Sequence, residues 1–145
     1  MRRYFAYGAN MDAAAMAERC PSARLIGPAV LDGWRIALEA GGHATIVAAT
    51  AARPPAKAFG VLWSIQPADE RALDAFEGVA EGMYAKSKLS VRRLPGGPTT
   101  PALVYVAAEA PGAKPRLPYL DAVIAAARAR GLPATHLASL DRLRR

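Results

Sequence analysis

The sequence predicts an α+β fold: a mixed, largely antiparallel sheet, curved or closed on itself, with helices packed around it. Three observations predict it. Strand-like runs mostly follow one another, with helical stretches only interspersed, so the regular strand–helix alternation of a doubly wound sheet is missing. The chain has 145 residues, 52% of them apolar, which suits one core and a single domain over residues 1–145. No linker or internal repeat divides it.

Each element follows from local pattern. Arg3–Ala6 is a short aromatic and apolar run that stops at Gly8, and it reads as a strand. Met11–Arg19 is Ala- and Met-rich, hence helical, with Asn10 placed to cap it and Pro21 to end it. Arg24–Val30 reads as a strand. In Trp34–Glu39, Trp34, Ile36 and Leu38 alternate with Arg35, Ala37 and Glu39, the pattern of a half-buried strand. His43–Ala49 is a further strand after Gly41-Gly42, and Ala51–Lys57 is a loop around Pro54-Pro55.

Ala58–Ile65 is a strongly apolar strand. Pro67 then suits a first helical turn, with Asp69 and Glu70 favouring that end. The helix runs to about Phe76, with Ala68, Ala72, Leu73 and Phe76 on one face. Tyr84–Arg93 alternates Lys86, Lys88, Ser90 and Arg92 with other residues, as an antiparallel strand with one wet face does. Pro95–Pro98 is a turn and Ala102–Ala107 the returning strand. After a Pro/Gly loop, Tyr119–Arg130 is amphipathic, with Leu120, Val123, Ile124 and Ala127 inward. Gly131 suits its C-terminal end, and Pro133–Leu143 reads as a last short helix.

Composition excludes several classes. A lone Cys20 excludes a disulfide framework. No apolar stretch approaches the ~20 residues of a membrane span, and no secretory signal opens the chain. A cytoplasmic protein without membrane association is therefore expected. The net charge of +7 raises nucleic-acid binding. It is concentrated, however: residues 1–111 carry twelve Lys and Arg against ten Asp and Glu, and residues 112–145 carry seven against two. A solvated helix face and tail account for that, and no nucleic-acid partner is expected. No phosphate loop or dinucleotide fingerprint is present. His43 and His136 stand alone, without metal-ligand spacing, so neither metal nor cofactor is expected. Cys20, before Pro21 at a helix end, reads as a buried structural residue.

Two segments carry possible chemistry. In Tyr7-Gly8-Ala9-Asn10 a strand gives way to a helix start, where small residues admit a ligand and free N–H groups attract an anion. In Glu77-Gly78-Val79 a carboxylate lies at a helix C-terminus, the unfavourable end for it, between apolar neighbours. Both features raise its pKa if it points inward, and such a local violation marks a candidate site. Glu81, between Ala80 and Gly82, reads as a turn residue.

Together these segments resemble the γ-glutamylcyclotransferase, or AIG2-like, family. The family's Tyr-Gly-Ser-Asn appears as Tyr7-Gly8-Ala9-Asn10. Its Glu-Gly-Val followed by Gly-x-Tyr appears as Glu77-Gly78-Val79 and Gly82-Met83-Tyr84. Cys20-Pro21-Ser22-Ala23, Gly33-Trp34-Arg35, Ala44-Thr45-Ile46-Val47, Gly60-Val61-Leu62-Trp63 and Ala102-Leu103-Val104-Tyr105 fit in order. The ending Tyr119…Gly131-Leu132-Pro133, with His136 and Leu140, is similar to the branch acting on γ-glutamyl amino acids.

The resemblance implies a small, mostly antiparallel β-barrel of about five or six strands flanked by helices. It implies a cofactor-independent enzyme that closes a γ-glutamyl group to 5-oxoproline and releases an amino acid or amine. Glu77 matches the general acid/base. Backbone N–H groups at Gly8, Ala9 and Asn10 would hold the substrate carboxylate, and Tyr7, Tyr84 and Tyr105 would line its pocket. The substrate stays open among γ-glutamyl amino acids, γ-glutamyl amines and glutathione. Ala9 departs from the family serine, so a non-catalytic small-molecule-binding protein of the same fold is the alternative.

Overall fold

The computed structural model describes residues 2–145. Seven strands and four α-helices follow in order among them: β1 (Arg2–Ala6), α1 (Ala13–Arg19), β2 (Arg24–Asp32), β3 (Trp34–Leu38), β4 (Ala44–Ala48), β5 (Lys57–Ile65), α2 (Pro67–Phe76), β6 (Ala85–Arg93), β7 (Thr99–Val106), α3 (Leu117–Ala129) and α4 (Ala134–Arg142). A single turn of 3₁₀-helix at Ala9–Met11 precedes α1.

Five strands close into a barrel in the order β1-β5-β2-β6-β7. Four of its junctions are antiparallel, and the fifth joins β1 to β7 in parallel through Tyr4 and Leu103. Closure removes the exposed strand edges that an open sheet would leave. The light β1–β7 seam also explains how Pro101 fits inside β7, since a missing N–H matters least at a sparsely paired edge. Strand β7 begins three residues before the sequence reading placed it, because the hairpin with β6 continues to Arg92↔Thr99.

Barrel strands are buried on both faces where helices cover the outside. Tyr4, Phe5 and Ala6 are buried in succession, as are Val61, Leu62 and Trp63. Strands β3 and β4 form a separate hairpin, with Ile36 opposite Ile46. Thr45 ties it to the barrel: its hydroxyl donates to Ala107 O (2.7 Å) and accepts from Ala107 N–H (2.9 Å). Helix α4 docks on β5, where the buried His136 ring meets Phe59 edge-on at 5.5 Å between centroids.

Three local expectations are corrected. Asn10 does not cap α1; Asp12 does, accepting from Ala15 N–H (2.9 Å), because the intervening 3₁₀ turn moves the helix start two residues on. The alternation in Trp34–Glu39 fails at its end, since Ala37 and Glu39 are both buried. The hairpin there is enclosed on both sides. Phe76 shares a helical face with the buried Leu73 yet is 48% exposed. It lies at the mouth of a cavity, and the Arg19 guanidinium covers its ring at 3.7 Å.

Candidate active site

The end of β1, the C-terminus of α2, the turn before β6, the β3–β4 loop and the start of α3 meet around a cavity of about 220 Å³. Every site residue expected from the sequence lines it: Tyr7, Gly8, Ala9, Asn10, Glu77, Tyr84 and Tyr105.

The Tyr7–Asn10 turn is held from several sides. Asn10 O accepts from Trp63 Nε1–H (2.9 Å). The Asn10 side chain donates to the Tyr4 hydroxyl (3.1 Å) and accepts from Arg19 (2.8 Å), so its amide is engaged within the fold. Met11 N–H and Asp12 N–H close on the Gly8 and Ala9 carbonyls. The N–H groups of Gly8, Ala9 and Asn10 lie at the start of that turn, where the turn itself supplies no acceptor for them. Glycine at position 8 is a matter of space: a Cβ there would stand 2.8 Å from the Tyr119 hydroxyl oxygen.

Glu77 caps the C-terminus of α2, its N–H donating to Leu73 O (2.8 Å). Gly78 then turns left-handed (φ 64°), and a Cβ on it would lie 2.7 Å from Met83 Sδ. A glycine is needed there on both counts. The turn leaves Glu77 half-buried at the cavity and Glu81 exposed, away from it. Burial pushes the Glu77 carboxyl up to about 7; the nearby Arg19 charge pulls it down, and that of Glu39 pushes it further up. Such a group gains and loses a proton near neutral pH.

The phenols divide by what their protons do. Tyr7 donates to Tyr105 O (2.5 Å), Tyr84 to Ala44 O (2.8 Å) and Tyr105 to Asp74 Oδ1 (2.7 Å). Burial raises all three well above the ordinary tyrosine pKa, so they stay neutral. With their protons engaged, they offer lone pairs to a ligand. Tyr119 is the opposite case. Its hydroxyl accepts from Ala44 N–H (3.1 Å), which leaves its own proton for whatever enters. Burial raises its pKa to about 12.

Sequence reasoning used Tyr119 in the family-like ending and set His43 aside as isolated, and it gave neither a place in the site. Both line the cavity. His43 is not isolated: its Nδ1 lies 3.3 Å from Glu39 Oε1, and its backbone N–H donates to the same oxygen (2.8 Å). The Gly41-Gly42 turn was the available signal, because it folds residue 39 back onto residue 43. Cys20 is buried, its thiol pushed up to about 11 mainly by burial, and its Sγ–H points to Asp69 O (3.7 Å), a structural placement. Among the described residues no cluster of His, Cys, Asp and Glu could hold a metal ion, and no helix is long and apolar enough to cross a membrane.

Known proteins share this fold. A solved structure named γ-glutamyl cyclotransferase superposes with a TM-score of 0.85 at 25% identity, covering 97% of this chain and 86% of that one. An uncharacterized protein from Homo sapiens gives the same TM-score at 26% identity, again covering 97% and 86%. YkqA from Bacillus subtilis, 22% identical, shares the fold with a TM-score of 0.78 over 99% of this chain and 54% of its own. Among curated proteins none matches. The AIG2-like family matches residues 57–140, from the start of β5 to α4, a span that includes Glu77, Tyr84, Tyr105 and Tyr119. With its barrel, its cavity and that match, the chain belongs to the AIG2-like family.

Proposed function

We propose that this protein is a γ-glutamyl cyclotransferase. The observation that carries the reading is Glu77: a carboxyl with a pKa of about 7, half-buried as the one acidic side chain among the described residues that line the cavity. In the proposed reaction the substrate α-ammonium gives a proton to Glu77, and the freed amine attacks the substrate's own γ-carbonyl carbon. A new C–N bond closes 5-oxoproline and the old C–N bond breaks; the ring nitrogen sheds its second proton, and Glu77 relays both protons in turn to the departing nitrogen, which leaves as an ammonium. Atoms balance without a cofactor.

Ring closure is intramolecular, so holding the substrate folded can supply an effective molarity of ~10⁵–10⁸ M. The fold supports that role. The N–H groups of Gly8, Ala9 and Asn10 suit the α-carboxylate. Tyr7, Tyr84 and Tyr105 present lone pairs that suit an ammonium, while Tyr119 holds a proton for a developing oxyanion. Ala9 in place of the family serine leaves the backbone donor intact. The same replacement favours the second reading, binding without turnover.

The deciding experiment is release of 5-oxoproline from a panel of γ-glutamyl amino acids, γ-glutamyl amines and glutathione, with wild type beside Glu77→Gln. The expected result is product from wild type and a loss of at least about two orders of magnitude in the variant. No product from any substrate, together with retained binding, would establish the second reading.

A further inference from the structure

We propose that His43, held by Glu39, selects the leaving group by reading its carboxylate. The inference rests on the cyclotransferase reading and names what the His43 part of that same cavity recognises.

The cavity is unequally charged. Among the described residues lining it, Glu77 is the acid and His43 the only basic side chain. The phenols are neutral, and Arg19 is engaged behind Phe76 and Asn10. A γ-glutamyl amino acid brings a second carboxylate that a γ-glutamyl amine lacks. A carboxylate brought into a half-buried site needs a cation or a set of hydrogen-bond donors, and the N–H groups of Gly8, Ala9 and Asn10 are already taken by the α-carboxylate. His43 is the lining group that can become such a cation.

The ring is also built in. Its Nδ1 faces Glu39 Oε1 at 3.3 Å, and its plane stands at 85° to the Tyr119 ring, with centroids 4.9 Å apart. Glu39 is 7% exposed and takes the His43 backbone N–H as well, so it anchors both the residue and its imidazole. With Nδ1 beside Glu39 Oε1, the other ring nitrogen, Nε2, is the one available to a ligand. The imidazole, with a donor at each ring nitrogen, would bridge an arriving carboxylate to Glu39. An amine leaving group gives no such bridge.

The test uses two substrates that differ by that carboxylate alone, γ-glutamyl-L-alanine and γ-glutamyl-ethylamide, with wild type, His43→Gln and Glu39→Gln. Wild type is expected to favour the alanine substrate in kcat/KM. In His43→Gln the ratio of the two kcat/KM values is expected to fall about tenfold or more, carried by KM of the alanine substrate, the size of one lost charge-assisted contact. Glu39→Gln, which loosens the ring without removing it, should give a smaller fall in the same direction. An unchanged ratio in His43→Gln, an equal loss on both substrates, or a wild-type preference for the ethylamide would overturn this role while leaving the reaction standing. No turnover of either substrate by wild type would instead sink the cyclotransferase reading, and this role with it.

Discussion

The Arg19 guanidinium lies 3.7 Å from the centre of the Phe76 ring, and Phe76 directly precedes Glu77. The same guanidinium donates to Asn10 Oδ1 at 2.8 Å. One side chain from α1 thereby joins the turn after β1 to the end of α2, and its charge acts against the burial that raises Glu77. Replacing Arg19 with Met keeps an aliphatic cover over Phe76 and removes the charge. The rising limb of kcat/KM against pH, expected near pH 7, should then move up by about half to one unit. Activity should drop several-fold at pH 6.5 and converge on wild type near pH 8.5, and Arg19→Lys should restore most of it. A pH–rate profile of the three proteins checks this, and an unmoved limb would refute it.

Glu77 should also reveal itself in stability. Its carboxyl titrates near 4.5 when unfolded and near 7 when folded. A raised carboxyl pKa means that stability is fully present below about pH 4.5, declines as pH rises to 7 and stays reduced above. Glu77→Gln should therefore unfold at a higher temperature than wild type at pH 8, by about 1 kcal/mol after allowance for its partial exposure, and show no advantage at pH 4. Thermal melts at the two pH values decide it. Equal gains at both would remove the electrostatic explanation.

Gly8 and Tyr119 should behave as a pair. A methyl on residue 8 would press on the Tyr119 oxygen at 2.8 Å. Gly8→Ala is expected to cost about 1–3 kcal/mol, the usual range for overpacking. Removing that oxygen with Tyr119→Phe makes room, so the double variant should recover part of the loss. The check is a denaturant-based double-mutant cycle with a coupling of about 0.5 kcal/mol or more. Strict additivity would mean that Gly8 is needed for another reason.

His136 has a different consequence. It is buried, its Nδ1 accepts from Phe59 N–H at 3.5 Å, and its Nε2 has no partner among the described residues. Burial lowers its pKa from 6.5 to about 4. A depressed folded pKa means that stability is present above 6.5 and is lost as pH falls towards 4. His136→Phe removes a buried unpaired donor and that titration together. It should hold wild-type stability at pH 8 and flatten the decline between pH 6.5 and 4 by up to about 3 kcal/mol. Melts across that window test it; a slope as steep as wild type would place the acid sensitivity elsewhere.

Much of this was legible in the chain. Elements bounded by strong local signals were read nearly to the residue. Pro67 with Asp69 and Glu70 opened α2, and the Gly78 turn closed it. Glu77 stood out because a carboxylate at a helix C-terminus breaks a local rule. Tyr7, Gly8, Ala9, Asn10, Tyr84 and Tyr105 were found through the order of short motifs, and they do line one cavity.

Other features were not legible because they are not local. Phe76 looked like a core residue on periodicity, and only the position of Arg19, 57 positions away, shows that it lines a cavity mouth instead. Glu39 looked like the wet face of a strand, yet the enclosed hairpin buries it against His43. Tyr119 differs from Tyr7, Tyr84 and Tyr105 because Ala44 N–H occupies its oxygen. Sequence by itself determined the elements, the mixed, mostly antiparallel sheet and the acid at the end of α2, since propensity, capping and hydrophobic period act within a few residues. Tertiary structure decided which hydroxyls keep a proton, which histidine gains a carboxylate partner and how far Glu77 is shifted. Those depend on burial and on through-space charge, and both are set by residues that only folding brings together.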